Sequence, residues 1–482
     1  MKRLKKEICI FEIYGFENQI VSSIVQEAKK RGYSIKFTQD INYEGEIGIY
    51  SQHYNLPKGK KLHPKSKLSI ILLHDMLESH SNWPNMWRDD PWNEFDIAIL
   101  PGNEWLERWS ACQWHENAQP RIGVFSLGWP KADHAFMEGF MLEKIKFKEK
   151  YKFKYEKTVF YAPSYELDSK QNDVVESLRN LPVNIIIKHA PSKVEPDIYY
   201  KNIKEMNSLH KDKWDNVYIL DSWTDIMLCF DSSDLIISDE SSVILEGVLF
   251  NIPSISVKDW KVGFEPYTRN PIIPYNFVYQ TTKDNLETTV ENILLNIEKE
   301  KEKNKKLKNN FYNNIGVSGI KILDVIDEVL NSNINNFMYY KKDISDSFGL
   351  EAQINKAYND LLTNEEKKVF EETKNNIFDC CRYLINNNLN NKIGKYVIWG
   401  AGSGGSILYK ILKYVLPNAE LIMYVDTFKN GKLNNIEINK VHSLKDQKTD
   451  YIFIATLPGK SFALQKLYDM KLLIGEDFYS VY

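Results

Sequence analysis

The 482-residue sequence has only five cysteines, Cys9, Cys112, Cys229, Cys380 and Cys381, and none of them forms a Cys-x-x-Cys pair. Because no cysteine or histidine cluster has zinc spacing, the sequence predicts neither a disulfide framework nor a metal site. Its charges nearly cancel, with 62 basic against 65 acidic residues. No overall field therefore favours nucleic acid. No apolar run reaches the length of a membrane span. These absences predict a cytoplasmic chain without a nucleic-acid partner.

Short apolar runs alternate with helical patterns along most of the chain, which is typical of parallel α/β sheets. The first predicted domain, residues 1–150, has an amphipathic helix at 20–30 and strands at 8–14, 47–50, 68–73, 97–100 and 122–125. The second, residues 151–332, has strands at 159–161, 183–187, 217–220, 235–237 and 254–257. Residues 333–392 predict a helical connector, and residues 393–482 predict a third, smaller α/β domain.

A run of five polar residues follows the predicted strand 235–237: Ser238, Asp239, Glu240, Ser241 and Ser242. A helical pattern begins directly after it. A helix N-terminus offers free N–H groups and partial positive charge, and open α/β sheets place ligands at the carboxyl ends of their strands. The run therefore predicts a phosphate-binding site. The alternative is that the serines only cap the helix.

Five short motifs occur in a fixed order. His74 ends the strand 68–73, and residues 128–133 read Gly-Trp-Pro-Lys-Ala-Asp. Residues 159–164 read Val-Phe-Tyr-Ala-Pro-Ser, residues 187–191 read Ile-Lys-His-Ala-Pro, and residues 238–242 form the polar run. Together they resemble the CDP-glycerol glycerophosphotransferase family, the teichoic-acid polymerases and primases, whose corresponding motifs include Gly-Tyr-Pro-Arg-Asn-Asp and Ser-Asp-Tyr-Ser-Ser.

The resemblance implies a GT-B architecture of two Rossmann-like lobes with the active site between them, here followed by the connector and the small Rossmann-like domain. It implies a transferase of bacterial surface-polymer biosynthesis. Such an enzyme moves a glycerol-phosphate-like group from a CDP-activated donor to a hydroxyl of a carbohydrate or lipid-linked acceptor. No cofactor is expected, and contact with the inner face of the plasma membrane stays an open alternative.

The resemblance also implies roles for single residues. His74 is the expected general base, because imidazole titrates near neutrality and this side of the cleft faces the acceptor. His189 and Lys188 are expected to contact the donor phosphates together with residues 238–242. Ser164 and Glu246 are further expected donor contacts.

Two departures from the family pattern leave the transferred group open. Asp75, Met76 and Leu77 follow His74 where the family has Gly-Thr-Pro, and Glu240 replaces an aromatic residue. One alternative is a GT-B glycosyltransferase that uses a nucleotide sugar for capsule or cell-wall polysaccharide. The other is a non-catalytic binding or scaffold protein.

The third domain carries its own glycine motif. Gly400, Gly402 and Gly405 fit Gly-x-Gly-x-x-Gly between a strand and a helix, and Asp426 ends the next strand at the position of a ribose-binding acid. The motif predicts a bound nucleotide, and a purely structural role is the alternative.

Two aromatic-rich stretches admit two interpretations each. Residues 143–157 alternate lysine with aromatic or aliphatic residues, which fits either a solvated connector or a strip that touches an anionic membrane. Six tryptophans fit either packing or a stacking surface for a carbohydrate or lipid-linked acceptor. They are Trp83, Trp87, Trp92, Trp105, Trp109 and Trp114.

Overall fold

The computed structural model describes residues 6–12, 17–55, 60–73, 76, 86–88, 90–191, 197–263, 268–331 and 348–482. Packing divides the chain into two compact units. The first unit contains two α/β lobes, and the second consists mainly of residues 348–482.

The first lobe is built on a parallel sheet, with strand order β2-β1-β3-β6-β7-β8. Its strands are β1 (Glu7–Phe11), β2 (Ser34–Thr38), β3 (Ile47–Tyr50), the short pair β4 (Tyr54–Asn55) and β5 (Lys60–Lys61), β6 (Leu68–Leu72), β7 (Ile97–Leu100) and β8 (Gly123–Ser126). Its helices are α1 (Glu17–Ile20), α2 (Ser22–Lys30), α3 (Asn103–Cys112) and α4 (Phe140–Tyr151). A 3-10 segment, Pro130–Phe136, links β8 to α4.

The second lobe is a six-stranded parallel sheet with strand order β11-β10-β9-β12-β13-β14. Its strands are β9 (Lys157–Tyr161), β10 (Val183–Ile187), β11 (Val217–Ile219), β12 (Leu235–Ser238), β13 (Ser254–Val257) and β14 (Tyr279–Thr281). Its helices are α5 (Lys170–Leu178), α6 (Asp197–His210), α7 (Ile226–Asp231), α8 (Val243–Glu246), α9 (Leu286–Leu295), α10 (Ile297–Phe311) and α11 (Ser318–Leu330).

Helix α11 follows the second lobe in sequence but packs on the first lobe. Ile322 and Ile326 share one buried core with Val21 and Ile24 of the α1–α2 region. The N-terminus of α11 is capped from the first lobe, because the buried carboxylate of Asp133 accepts hydrogen bonds from the backbone N–H groups of residues 318 and 319, at 3.1 and 2.8 Å. These contacts hold the segment Pro130–Phe136 against the returning helix.

Gly128 makes this approach sterically feasible. Its φ is +109°, and a Cβ there would lie 2.3 Å from Ser318 Oγ and 2.4 Å from Asn313 O. A side chain at this position would therefore separate the turn after β8 from the start of α11.

The second unit has its own core and sheet, with strand order β17-β18-β16-β15-β19-β20 and only β17 antiparallel. Its strands are β15 (Lys395–Trp399), β16 (Glu420–Val425), β17 (Gly431–Leu433), β18 (Ile436–Asn439), β19 (Tyr451–Ile454) and β20 (Phe478–Ser480). Its helices are α12 (Phe348–Leu361), α13 (Asn364–Asn386), α14 (Ser403–Val415) and α15 (Lys460–Asp469). Helices α12 and α13, expected as a connector, pack against α14 within this unit.

The sequence patterns located ten of the strands in the two lobes and missed four, which are the short pair β4 and β5 and the edge strands β2 and β14. The residues of β2 and β14 are mostly exposed or half-buried, so their apolar pattern is weak. Residues 13 and 14, at the end of the predicted strand 8–14, lie outside the described residues.

The packing interpretation of the tryptophans is confirmed for the five that the structure describes, and the stacking-surface interpretation is wrong for them. Trp87, Trp92, Trp105 and Trp109 are at most 1% exposed, and Trp114 is 7% exposed. The rings of Trp87 and Trp92 meet edge to face at 5.3 Å. Trp83 lies outside the described residues.

Residues 143–157 do not form one continuous strip. Residues 143–151 belong to α4, and the side chain of Phe147 is buried on the inner face of that helix. Phe153 then packs edge to face on Tyr218, with ring centroids 4.9 Å apart. The ring of Tyr151 meets the same tyrosine at 6.4 Å. The aromatic residues therefore pack inward, while the lysines between them face solvent. None of the described helices is both long and apolar enough to cross a membrane.

We predict that Asp133→Ala lowers the free energy of unfolding by about 2 kcal/mol, because two backbone N–H groups at the start of α11 lose their buried acceptor. Urea denaturation followed by circular dichroism measures this. The control is Asp215→Ala, which removes a largely exposed partner of Lys154 and should change stability by less than about 0.5 kcal/mol. Equal losses in both variants would contradict the assigned role of Asp133.

Candidate functional site

The second sheet places its polar residues at a topological switch point. Because strand order reverses between β9 and β12, the connections from these neighbouring strands leave on opposite faces of the sheet and open a crevice at their carboxyl ends. Ser164 follows β9, Lys188 and His189 follow β10, and residues 238–242 end and follow β12. The sheet thus brings Ser164, Lys188, His189 and residues 238–242 to one edge, whereas the predicted donor contact Glu246 is buried at the end of α8.

A fully buried ion pair fixes this edge. Lys170 Nζ lies 2.5 Å from Asp239 Oδ2, and both side chains are 0% exposed. Asp239 also accepts hydrogen bonds from the backbone N–H and hydroxyl of Ser164, both at 2.8 Å, and from the N–H of Glu240 at 2.6 Å. Burial alone would raise the pKa of Asp239, but Lys170 and these hydrogen bonds hold it below its usual range. The carboxylate of Asp239 thus joins the turns after β9 and β12.

Glu240 points to a different partner. Its carboxylate receives two hydrogen bonds of 2.6 Å from the guanidinium of Arg269 and one of 2.9 Å from the N–H of Ile272. This bidentate pair anchors the segment around residues 269–272 to the turn after β12.

The helix that follows the turn is shorter than the pattern indicated. Helix α8 has four residues and continues as a 3-10 turn, Gly247–Phe250, so its dipole is small. The capping interpretation is wrong for Ser242, since its side chain makes no cap hydrogen bond and instead donates to Glu246 at 3.2 Å. Ser241 and Ser242 are half-buried at the mouth of the crevice.

Lys188 places a positive charge at this edge, where the short helix α8 contributes only a small dipole. Its side chain is buried, and among the described residues its one polar contact is the carbonyl of His189 at 3.4 Å. Burial lowers the pKa of Lys188. Lys131, Asp225 and Glu246 are all close enough to act on it electrostatically.

His189 is a neutral imidazole. Burial, followed by the charge of Lys188, lowers the pKa of His189 to about 3. Its Nε2 lies 2.9 Å from Gln171 Oε1, while its Nδ1 is buried without a partner. The other amide atom of Gln171, Nε2, is also buried without a partner. With the Gln171 amide in the flipped orientation, its N–H donates to Nε2 of His189. The ring proton then lies on Nδ1, which can donate it to another group.

The first lobe contributes Lys131 and His134, which the sequence analysis did not single out. Lys131 Nζ contacts both carboxylate oxygens of buried Glu246, at 2.9 and 2.8 Å. His134 Nε2 lies 2.5 Å from Asp225 Oδ2. Burial lowers the pKa of His134, but the hydrogen bond and charge of Asp225 outweigh it, so the pKa is raised. These pairs connect the segment after β8 to the second lobe.

His74 lies outside the described residues, so its place relative to this cluster is not described.

The sequence contained one indication of the site residues that the sequence analysis did not predict. Lys131 belongs to the quoted motif 128–133, and His134 follows it directly. Lys170, Gln171 and Asp225 carry no such signal, because only the fold brings them together. The described residues contain no cluster of three or more His, Cys, Asp or Glu that could hold a metal ion.

The glycine turn of the second unit is tightly built. Gly400 has φ +119°, and a Cβ on Gly405 would lie 2.0 Å from Gly400 O. Asp426 accepts hydrogen bonds from the N–H groups of Ala401, Phe428 and Lys429, at 2.9 to 3.0 Å. The carboxylate expected at a ribose therefore holds the glycine turn in shape. A Cβ on Gly402 would meet nothing nearer than Lys429 Nζ at 3.7 Å.

The chain is similar in fold to several solved structures. No protein-family model and no curated protein matches the chain. The wall teichoic acid polymerase TagF is 15% identical, with 69% of this chain and 91% of that chain covered and a TM-score of 0.47. An S. aureus MnaA–UDP structure is 11% identical, with coverage of 70% and 100% and a TM-score of 0.48. The UDP-GlcNAc 2-epimerase from Neisseria meningitidis bound to UDP-GlcNAc is 11% identical, with coverage of 67% and 99% and a TM-score of 0.45.

At such identities these likenesses assign no function and no residue role. The topology of the first unit is decisive for the architecture: two parallel α/β sheets in sequence, with polar residues at a switch point and a final helix that returns to the first lobe. By this topology the first unit has the GT-B fold. In this GT-B unit, the cluster of Lys131, His134, Lys188 and His189 lies where the two lobes meet.

We predict that Asp225→Asn lowers the pKa of His134, because the imidazolium loses its carboxylate partner. A pH titration of the imidazole by NMR measures this, with Asp231→Asn, at the opposite end of α7, as the control. Since the folded pKa of His134 is raised, the pair stabilises the fold fully below about pH 6.5, and this contribution is lost as pH rises through the folded pKa. A His134 pKa that is the same in both variants would rule out the pairing.

We predict that a chain truncated to residues 342–482 folds and binds a nucleoside diphosphate such as CDP or ADP, and that Gly402→Val abolishes this binding. The backbone of residue 402 could then no longer approach a pyrophosphate, although the side chain meets no neighbour in the fold. Calorimetry measures nucleotide binding by the Gly402→Val variant and by a Gly349→Val control, in which the changed glycine also has open space around it. Unchanged binding in Gly402→Val, or none in the parent, would favour the purely structural role.

Proposed function

We propose that the chain is a GT-B transferase that moves a glycerol-phosphate-like group from a CDP-activated donor to a hydroxyl of a carbohydrate or lipid-linked acceptor. The observation that carries this proposal is Lys188, a buried cation at the switch point with no carboxylate partner among the described residues. A buried charge is costly unless it is paired. A nucleotide diphosphate in the crevice would supply the missing anion.

The donor phosphates have several hydrogen-bond donors within this edge. Lys188 offers charge, and the hydroxyls of Ser241 and Ser242 offer O–H groups at the crevice mouth. His189 acts as a neutral N–H donor, because its low pKa excludes an imidazolium at physiological pH. When the acceptor hydroxyl attacks the phosphorus of the glycerol-phosphate group, the phosphoanhydride bond breaks and CMP leaves, so groups already positioned around the phosphates lower the barrier by stabilising the charge on the leaving CMP. Ser238, Asp239 and Ser164 shape the turns that hold these donors, and Glu246 orients Ser242 and Lys131.

The acceptor hydroxyl needs a general base, and two histidines are proposed for it. His74 is favoured by the family pattern. His134 is favoured by geometry, because the carboxylate of Asp225 orients its ring and increases its basicity, as an aspartate does for the histidine of a hydrolytic triad. His74→Ala and His134→Ala should each leave donor affinity nearly intact, and the variant that loses turnover identifies the base.

The second candidate function is glycosyl transfer from a nucleotide sugar. It is favoured by Glu240, which stands where the resembled motif has an aromatic residue and pairs with Arg269. The proposed donor site therefore differs from that motif at a position next to the proposed phosphate-binding residues. The same cations would bind either donor.

Donor assays separate these functions. Transfer and hydrolysis are measured with CDP-glycerol, CDP-ribitol, UDP-sugars and CMP-sugars under the same conditions. Activity with a CDP-alditol supports the first proposal, and activity confined to a sugar nucleotide supports the second. Binding of nucleotide without turnover of any donor would indicate a non-catalytic protein and overturn both.

We predict that replacing Ser241 and Ser242 together with alanine weakens binding of the nucleotide diphosphate by about 1–3 kcal/mol, the range for lost hydrogen bonds to a charged group. Calorimetry with CDP measures the effect. The control carries alanine at Ser34 and Ser208, two exposed serines elsewhere in the unit. Unchanged affinity in a folded Ser241/Ser242 variant would remove these hydroxyls from the donor site.

A further inference from the structure

Gln171 and His189 form a buried polar pair in the second lobe. Gln171 is 0% exposed and His189 is 3% exposed. The amide oxygen of Gln171, Oε1, lies 2.9 Å from Nε2 of the imidazole. The other polar side-chain atom of each residue, Gln171 Nε2 and His189 Nδ1, has no hydrogen-bond partner among the residues that the structure describes. Because buried polar atoms are rarely left unpaired, these two atoms need an explanation.

Tyr161 and Glu166 hold both members of the pair. The backbone N–H of Gln171 donates to Glu166 Oε1 at 3.1 Å, and the hydroxyl of Tyr161 donates to Glu166 Oε2 at 2.7 Å. Both Tyr161 and Glu166 are 0% exposed. The ring of Tyr161 also meets that of His189 edge to face, with centroids 6.3 Å apart. The amide and the imidazole therefore face each other in one fixed arrangement.

Two orientations of the Gln171 amide fit the same positions of the heavy atoms. In the first, the imidazole carries its proton on Nε2 and donates it to the amide oxygen, so Nδ1 presents a lone pair. In the second, the amide N–H donates to Nε2, and the proton of the neutral ring lies on Nδ1. Since the two ring nitrogens point in different directions, the amide decides whether His189 offers an acceptor or a donor on its other side.

An anion beside His189 would distinguish the two orientations. A phosphate oxygen would meet a lone pair in the first orientation and an N–H donor in the second, and only the second contact is attractive. Lys188, the residue before His189, is a buried cation, so this edge of the sheet already favours an anion. The second orientation also gives one hydrogen of the Gln171 amide an acceptor, which the first orientation does not.

The chemical type of the partner is also informative. An ionised carboxylate can only accept a hydrogen bond, and the carboxylate of Asp225 raises the pKa of His134. An amide carries no charge and can donate as well as accept. The pairing with an amide therefore agrees with a neutral His189, whose pKa burial lowers to about 3. The nearby carboxylate of Glu166 is directed to other donors.

We propose that Gln171 is a positioning residue for His189: its amide donates to Nε2 and thereby holds the ring proton on Nδ1, where it serves a phosphate oxygen of the donor. The phosphate contact rests on the proposed function, whereas the position of the proton is a property of the protein alone. Gln171 acts through His189 and does not itself contact the substrate.

The position of the proton is measured by NMR of the ring nitrogens in the full chain labelled at histidine, and the His189 signals are assigned by their loss in His189→Ala. We expect the proton on Nδ1 in the parent and mainly on Nε2 in Gln171→Met, because a neutral imidazole without a partner favours the form protonated on Nε2. The control is Gln113→Met, which changes a half-buried glutamine that contacts the carbonyl of Ser110 and should leave the proton on Nδ1. A parent protonated on Nε2, or an unchanged proton position in Gln171→Met, would overturn the proposal.

The phosphate contact is tested by calorimetry with CDP. Gln171→Met should weaken binding about tenfold, because the phosphate loses a correctly oriented donor. In a His189→Ala background the same change should have no further effect. Equal losses in both backgrounds would show that Gln171 does not act through His189 and would overturn its positioning role. Gln171→Asn, whose amide is withdrawn by one methylene, replaces Gln171→Met if that variant does not fold.

Failure of the proposed function would look different. Inorganic diphosphate should shift the Nδ1 signal of His189 in the parent and not in Gln171→Met. A parent that shows this shift but binds no CDP would contradict the proposed donor and support the positioning role. A Nδ1 signal that does not respond to diphosphate or to CDP, in a parent that binds CDP, would overturn the phosphate contact of His189.

Discussion

The buried contact between Lys170 and Asp239 is the constraint on which the candidate site depends. Two charges without solvent access stabilise a fold only when additional hydrogen bonds satisfy their remaining atoms. Here Lys170 also donates to the carbonyl of Tyr165 at 2.8 Å, and Asp239 accepts from Ser164 and from the N–H of Glu240. Removing either partner would leave the other charge buried and unpaired. The turns after β9 and β12 are therefore held in one arrangement, and the crevice between them has a defined shape.

The first lobe meets this crevice through a second constraint, the capping of α11 by Asp133. The helix belongs in sequence to the second lobe, yet it shares a core with α2. The segment that provides this cap, Pro130–Phe136, also contains Lys131 and His134, so the contact that anchors the returning helix positions both of these side chains. The same seven-residue segment therefore both anchors α11 and carries two side chains of the candidate site.

Much of the fold could be predicted because its signals are local. Buried parallel strands such as β7, β10 and β13 appear as short apolar runs, and their bounds agree with the predicted ones. Edge strands such as β2 lack that signal. Part of the candidate site could also be predicted, since Lys188 and His189 directly follow β10 and Ser241 lies three residues after the end of β12. Lys170, Gln171 and Asp225 could not, because their roles come from contacts between elements distant in sequence. The length of α8 was missed for a related reason: an apolar pattern does not distinguish an α-helix from one turn followed by a 3-10 turn.

The basic side chains of the cleft differ in whether they have a carboxylate partner, and under the proposed function this difference would set the order in which they meet the donor phosphates. Lys131 is paired with Glu246 and His134 with Asp225, each across the lobe boundary, whereas Lys188 has no carboxylate contact among the described residues. An entering diphosphate would first gain the interaction with Lys188, where no existing ion pair has to be broken. Lys131 could follow only by exchanging Glu246 for phosphate, and Glu246 is itself 0% exposed and would lose its partner. A donor bound through Lys188, as proposed, would therefore leave the Lys131–Glu246 pair as a contact between the lobes, and the cleft would accept this ligand without losing that connection.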